Sequence, residues 1–262
     1  MDPHTTDAVR LMQALAGIAS IVVGLEWQAI VRAGAVEGTW PAPVLRPWWG
    51  WRAALMTPPV LRSIAVVQVT LGTMLVLAAM LRDRDDPMGA IAAAGLLLTL
   101  WWTAVRVRGT LNGGSDGMLF TLLLGLMIAT WPGTPPRIAL GGVLFVAAQV
   151  LLSYLRAGIV KLREPAWWRG EALAAFLAIP AYGATVWFPR RGRWLRALSA
   201  LTIAFELAAP VALAGPRAAV LYAVIACGFH VAVAWTLGLN RFLLVWTAAL
   251  PSLWVAQAAV HR

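Results

Sequence analysis

Residues 138–170 read IALGGVLFVAAQVLLSYLRAGIVKLREPAWWRG. The stretch from 138 to 155 has no charged residue, and a group of cations and two adjacent tryptophans follow it. A helix needs about 20 apolar residues to cross the hydrocarbon layer of a bilayer. Cations and tryptophans are enriched where such a helix leaves that layer. The pattern therefore predicts a membrane-spanning helix over residues 137–161.

The rest of the chain repeats this pattern. Of its 262 residues, 61% are hydrophobic and 12% are charged, about half the charged fraction of a soluble domain. We therefore predict an all-α polytopic integral membrane helical bundle that forms a single transmembrane domain over 1–262. Pro, Gly and Arg clusters bound the apolar runs. They predict about eight transmembrane helices, over 9–32, 59–82, 87–106, 116–131, 137–161, 195–214, 217–237 and 241–259.

Two longer connections are too polar or too broken to be spans. Residues 33–58 mix Trp, Pro and Arg, which is typical of an interfacial segment. Residues 162–194 are interrupted by Pro180 and Gly183, so we predict an interfacial or re-entrant segment there and no ninth span.

The net charge of +10 does not indicate nucleic acid binding. The arginines lie in short connections between apolar runs, where they orient helices and contact anionic lipid headgroups. We expect a multi-pass protein of the cell (inner) membrane whose first partner is the lipid bilayer. More of the cations lie on the Lys161 side, which the positive-inside rule assigns to the cytoplasm. A cation that lines a pocket carries no information about orientation, so any such cation would have to be left out of this count.

Ionisable groups inside a span are costly, and each one is a candidate functional residue. Three stand out within the predicted spans: Glu26, Glu206 and His230. Lys161 and Arg156 lie at the end of the fifth span. We expect no metal site, because the other two histidines lie near the ends of the chain. The single cysteine excludes an internal disulfide and a CxxC redox pair. Glu26 is interpreted as a structural partner for an arginine.

Lys161 is the only lysine of the chain. Tyr154, Gly158 and Lys161 share one helical face, and Gly158 leaves space for a ligand or for a neighbouring helix. An amine partly withdrawn from water can act as a general base near neutral pH. The alternative is that Lys161 extends to the lipid headgroups as an anchor.

Glu206 and His230 also have structural alternatives. Glu206 precedes Pro210 by four residues, so it is either an ion-pair partner or bonded to backbone groups that the proline frees. A single membrane histidine is more often an interhelical hydrogen-bond partner than a catalyst. We predict that both side chains face the bundle interior, within reach of polar partners on other helices, because leaving them in lipid is costly.

An ordered set of short motifs resembles a known family. The motifs are YLRAGIVKLREPAWWRG at 154–170, FELAAP at 205–210, GFHVAVAWTLGLNRF at 228–242 and LNGGSDGML at 111–119. The chain is similar over about 105–250 to the horizontally transferred transmembrane (HTTM) domain. That domain is shared by vitamin K-dependent gamma-carboxylase and by small bacterial membrane proteins related to a peptide-maturation factor.

The resemblance implies a catalytic reaction and a role for each candidate residue. It makes Lys161 the base that deprotonates a reduced quinone of the vitamin K or menaquinol type, with Glu206 and His230 as further catalytic candidates in the same pocket. Candidate cofactor-binding residues are Tyr154, Arg156, Gly158 and Trp167. The implied function is a carboxylase- or epoxidase-like enzyme that modifies a peptide or a small partner. The alternative is a non-catalytic scaffold or maturation factor for a partner enzyme or a secreted peptide.

Overall fold

A computed structural model of the chain describes residues 3–35, 55, 57–81, 87–107, 113–179 and 192–261. This part of the chain is about 90% helical and contains no strand, as an all-α fold requires. The helices are α1 Pro3–Arg32, α2 Pro58–Leu81, α3 Met88–Val107, α4 Gly113–Thr130, α5 Pro136–Arg163, α6 Pro165–Trp168, α7 Glu171–Leu177, α8 Gly192–Leu207, a 3-10 helix η1 Ala209–Leu213, α9 Pro216–Leu237, α10 Asn240–Ala249 and α11 Pro251–Val260.

Helices occupy all eight places where the sequence predicts spans, but the count of eight spans is not confirmed. Within the described ranges, six helical stretches are long and apolar enough to cross a membrane: α1, α2, α3, α5, α9 and the pair α10–α11. The apolar part of α4 covers only Gly114–Thr130. Helix α8 has 16 residues, so it is short for a span because the chain leaves the α-helix before Pro210.

The two predicted connections differ in how much of them the structure describes. Most of 33–58 lies outside the described residues, as does 180–191, which contains Pro180 and Gly183. The described part of 162–194 forms only two short helices before α8, α6 with 4 residues and α7 with 7. Neither is long enough to cross a bilayer.

The chain divides into two compact units, Met1–Gly142 and Val143–Arg262, with the boundary inside α5. The prediction of a single domain over 1–262 stays a prediction. In the first unit, α1 and α2 meet through glycines: a Cβ built on Gly17 would lie 2.6 Å from the carbonyl oxygen of Gly72. One built on Gly24 would lie 2.9 Å from the oxygen of Ala65. Small residues of this kind let membrane helices approach backbone to backbone.

Helix α3 buries a polar row in the same unit. Thr99, Thr103 and Arg106 follow one another at helical spacing, and all three are buried. The two threonine hydroxyls donate to the carbonyl oxygens of Leu96 and Leu100 at 2.8 and 3.0 Å. Arg106 is fully buried, so the prediction that the arginines lie in connections exposed to lipid headgroups is wrong for this residue.

The opposite faces of helix α9 in the second unit have opposite character. Its buried face carries Ala219, Tyr222, Ala226, His230 and Ala234. Its exposed face is apolar and includes the side chains of Val220, Leu221, Val224, Ile225, Val231 and Trp235. An exposed surface of this kind matches acyl chains, whereas the buried alanines allow close packing around the two polar rings.

Candidate functional site

The second unit contains an ion pair between two of the predicted site residues. The Nζ of Lys161 donates to both carboxylate oxygens of Glu206, at 2.6 Å to Oε1 and 2.8 Å to Oε2. The Lys161 side chain is 18% exposed and that of Glu206 is 5% exposed. The pair is thus largely withdrawn from the surface, with the amine as its more accessible member.

The ends of two helices position this pair. Lys161 lies in the last turn of α5, where the negative end of the helix dipole stabilises a cation. Glu206 is the last residue but one of α8 and lies on its buried face with Leu195, Ser199 and Ile203. Of the two roles that the sequence allowed for Glu206, the structure shows the ion pair.

Gly158 is where α5 and α8 approach each other. A Cβ on Gly158 would lie 2.9 Å from Cγ and 3.0 Å from the backbone N of Leu207. The space that Gly158 leaves is therefore occupied by the neighbouring helix. This contact brings Glu206, the residue before Leu207, level with the last turn of α5, which explains why Lys161 reaches both of its oxygens.

Helix α6 places an aromatic ring over the amine. Glu164 is extended at φ −99° and ψ 110°, and Pro165 starts the helix. The chain therefore turns directly after α5, and the Nζ of Lys161 lies 5.1 Å from the ring centroid of Trp167. That distance allows a cation–π interaction.

A glycine holds this short segment against α8. Gly170 has φ +74°, in the left-handed region that favours glycine. A Cβ on it would lie 2.8 Å from the backbone N of Arg196. Any side chain at 170 would therefore separate the segment that carries Trp167 from α8.

A second polar contact joins Tyr154 of α5 to His230 of α9. The Tyr154 hydroxyl lies 2.5 Å from Nε2 of His230, and both residues are buried. Glu206 and His230 thus both face the interior and contact polar groups of another helix, as predicted. His230 takes the interhelical hydrogen bond that was its structural alternative, and its role in catalysis stays a prediction.

Aromatic rings pack around Tyr154 and His230. Phe205, next to Glu206, contacts Tyr154 with ring centroids 5.2 Å apart. The ring of Trp246 lies 4.9 Å from Tyr154 and is stacked 5.5 Å from His230. We call this group the aromatic cluster; its members are Tyr154, Phe205, Tyr222, Phe229, His230, Phe242 and Trp246.

Two nitrogen atoms of the aromatic cluster are buried without a hydrogen-bond partner in the described part of the chain. They are Nδ1 of His230 and Nε1 of Trp246. Buried polar groups in proteins are nearly always bonded. The cluster is therefore not saturated in hydrogen bonds, whereas both oxygens of Glu206 accept from Lys161.

The structure brings together most of the predicted site residues, but not all of them. Tyr154, Gly158 and Lys161 share a face of α5, and Trp167 covers the amine. Arg156 is exposed, on the other side of that helix. Trp246 and Phe205 were not predicted. FELAAP contains Phe205 and was singled out for Glu206 alone, whereas no local signal distinguishes Trp246 from the other fourteen tryptophans.

Among the residues that the structure describes, no group of three or more His, Cys, Asp or Glu could hold a metal ion. The polar side chains described at this site are one amine, one carboxylate, two phenols, one imidazole and two indoles.

The apolar helices and the buried polar residues define the class: a multi-pass helical membrane protein with a polar and aromatic interior in its second unit. No family model, no curated protein and no solved structure matches this chain. The resemblance to the HTTM family therefore stays a proposal.

Proposed function

We propose that this protein is a membrane enzyme of the HTTM type, in which Lys161 acts as a general base on a lipid-soluble quinol. The observation that carries the proposal is the ion pair of Lys161 with Glu206. It places a partly accessible amine, a carboxylate that can exchange a proton with it and an aromatic wall at the end of a membrane helix. A quinol dissolved in the bilayer reaches such a place without crossing water.

The chemistry requires a neutral amine. Glu206 is the group placed to make one, because its two oxygens are within 2.8 Å of Nζ. A proton moves from the ammonium of Lys161 to the carboxylate of Glu206, and the free amine then takes the hydroxyl proton of the quinol. The products are a quinolate anion, the ammonium form of Lys161 and a protonated Glu206, so charge and protons balance.

The surroundings of the amine suit the same substrate. Trp167 presents its ring 5.1 Å from Nζ, and a flat quinol ring stacks favourably on such a face. Stacking on Trp167 would orient the quinol ring, and the amine of Lys161 would accept the quinol's hydroxyl proton. As the family resemblance implies, molecular oxygen would add to the quinolate and yield a strong base, and that base would deprotonate a peptide or a small partner.

The decisive test is Lys161→Arg. A guanidinium keeps the charge and can still donate to both oxygens of Glu206, but it does not lose its proton at a working pH. We expect Lys161→Arg to be folded and inserted at wild-type level, yet unable to complement a deletion strain. The matched control is Arg156→Lys, which exchanges the same two side chains at an exposed position of the same helix and should complement fully.

The second candidate is a non-catalytic scaffold or maturation factor. One observation favours it: Nζ of Lys161 already contacts both oxygens of Glu206, as a purely structural link between α5 and α8 would require. In that case arginine serves as well as lysine. Full complementation by Lys161→Arg, with membrane levels checked by blot, would therefore exclude the base and leave the scaffold.

A further inference from the structure

The second unit carries an exposed surface that combines cations with aromatic rings. It is formed by the last turn of α5, by α6 and α7, and by the first turns of α8. We call it the basic platform; its exposed members are Arg163, Trp168, Arg169, Phe176, Arg193, Trp194 and Arg196. Two exposed carboxylates, Glu164 and Glu171, lie on the same segments. Four arginines against two carboxylates leave a net charge of +2 among these described residues.

Core and backbone contacts fix the helices beneath this surface. Leu177 of α7 packs against Leu195 of α8, and both are buried. A Cβ on Gly170 would lie 2.8 Å from the backbone N of Arg196. Since Arg169 directly precedes Gly170, the Cα atoms of Arg169 and Arg196 are at most about 10 Å apart. Two extended arginine side chains at this separation can contact one anion between them.

The described carboxylates do not neutralise the guanidinium groups of the basic platform. Within the ranges that the structure describes, none of its four arginines forms an ion pair. Nε of Arg196 donates to the carbonyl oxygen of Gly192 at 3.4 Å, so this side chain runs back along α8 toward Arg193. The terminal nitrogens of a guanidinium match the oxygens of a phosphate. This surface therefore favours an anion that carries a phosphate.

The exposed rings favour a lipid over a soluble anion. Trp168 and Trp194 are 50% and 54% exposed, and each is next in sequence to an arginine of the basic platform. The indole N–H of Trp168 donates to the carbonyl oxygen of Leu162 at 2.7 Å, which fixes this ring at the end of the apolar helix α5. Tryptophans are enriched at the headgroup level of a bilayer, where arginines attract anionic lipids.

We propose that Arg169 and Arg196 together bind the phosphate of one anionic phospholipid, while the exposed rings of the basic platform contact its glycerol and acyl groups. The bound headgroup joins α6 to α8. This site goes beyond a general attraction between loop arginines and lipid, because two residues on different segments form it at a fixed spacing. It also goes beyond the proposed function, since it requires neither a quinol nor a basic Lys161.

The test compares two lipids that share their acyl chains and differ in headgroup charge, dioctanoyl-phosphatidylglycerol and dioctanoyl-phosphatidylcholine. The full chain in a mild non-ionic detergent is titrated with each lipid, and lipid-bound protein is measured by native mass spectrometry. We expect phosphatidylglycerol to bind more tightly. Arg169→Gln and Arg196→Gln should each weaken its binding about 5-fold, the range for one cation at a membrane surface. Together they should abolish the preference for phosphatidylglycerol.

The matched control is Arg217→Gln, at an exposed arginine in the first turn of α9. Leu237, the last residue of α9, packs against Leu177 and Leu195. Arg217 is therefore separated from the basic platform by almost the whole length of α9, about 30 Å. This variant should bind phosphatidylglycerol like the wild type. An equal loss in Arg217→Gln would show that net charge alone determines binding and would overturn the proposal.

Two soluble competitors decide the class of ligand. Glycerophosphoglycerol has the headgroup without acyl chains, and hexaglutamate has negative charge without a phosphate. We expect neither to displace phosphatidylglycerol when present at the same concentration as the lipid. Displacement by the first would assign the site to a soluble phosphate, and displacement by the second would assign it to an acidic peptide. Either result, or equal binding of the two lipids, would overturn the proposal.

Discussion

The two units of the chain bring their helices together by different means. In the first unit, α1 and α2 approach backbone to backbone at Gly17 and Gly72. In the second unit, side chains make the contacts, through Lys161 with Glu206 and through Tyr154 with His230. The first interface depends on the absence of side chains and the second on their chemistry. The second interface is made by titratable side chains, which can bind or transform a ligand.

The difference predicts different responses to substitution. Filling space should damage the first interface, and removing a partner should damage the second. Four predictions test this contrast, each measured as a free energy of unfolding in mixed micelles of a mild detergent and dodecyl sulfate.

The largest effect is expected for Lys161→Ala. It leaves the buried carboxylate of Glu206 without its counter-charge, which costs about 3–5 kcal/mol for a buried pair. The double variant Lys161→Met with Glu206→Leu should recover most of this loss, because it removes both charges. Equal instability of the single and double variants would assign the effect to packing.

The second-largest loss of stability is expected for Gly17→Leu. A Cβ at this position would lie 2.6 Å from the oxygen of Gly72 and 3.0 Å from the backbone N of Val76, and backbone atoms cannot rotate away. We expect a loss of about 2–3 kcal/mol, in the range for overpacking. The matched control is Gly141→Leu in α5, whose Cβ meets nothing within 4 Å. A similar loss in both variants would refute the role of the close approach.

A smaller effect is expected for Tyr154→Phe. The change removes one hydroxyl and leaves Nε2 of His230 without its hydrogen-bond partner, while the ring contacts remain. Hydrogen bonds between membrane helices average below about 1 kcal/mol, so we expect a loss near 1 kcal/mol. Tyr222→Phe is the comparison, since its hydroxyl donates to the oxygen of Phe205 at the longer distance of 3.5 Å. A larger loss in Tyr222→Phe would reverse this ranking.

The smallest effect is expected for Trp167→Leu. Leucine keeps an apolar side chain over Lys161 but has no ring for a cation–π interaction, which is worth about 0.5–1 kcal/mol at a partly exposed place. The comparison is Trp194→Leu, at an exposed tryptophan of α8. Equal losses would show that the ring over Nζ contributes no more than ordinary contact.

Much of the fold was predictable because its signals are local. Long apolar runs that end at Pro, Gly or Arg predicted helices at eight positions, and helices lie at all eight. Within the part of the chain that the structure describes, six stretches are long enough to span a membrane. Burial of Glu206 and His230 followed from the cost of leaving either group in lipid. The burial of Arg106 could not be predicted. A cation at the end of an apolar run looks the same in sequence whether it lies in a loop or is buried by helix packing.

The sequence by itself determined that this is an all-helical membrane protein with a few costly polar groups, since length and hydropathy are local properties of the chain. Only the tertiary structure decided which groups meet. Lys161 and Glu206 are 45 residues apart and Tyr154 and His230 are 76 apart, and their contacts depend on how α5, α8 and α9 pack. Trp246 joins His230 for the same reason: a ring contact depends on distance and angle between helices, which no spacing along one helix encodes.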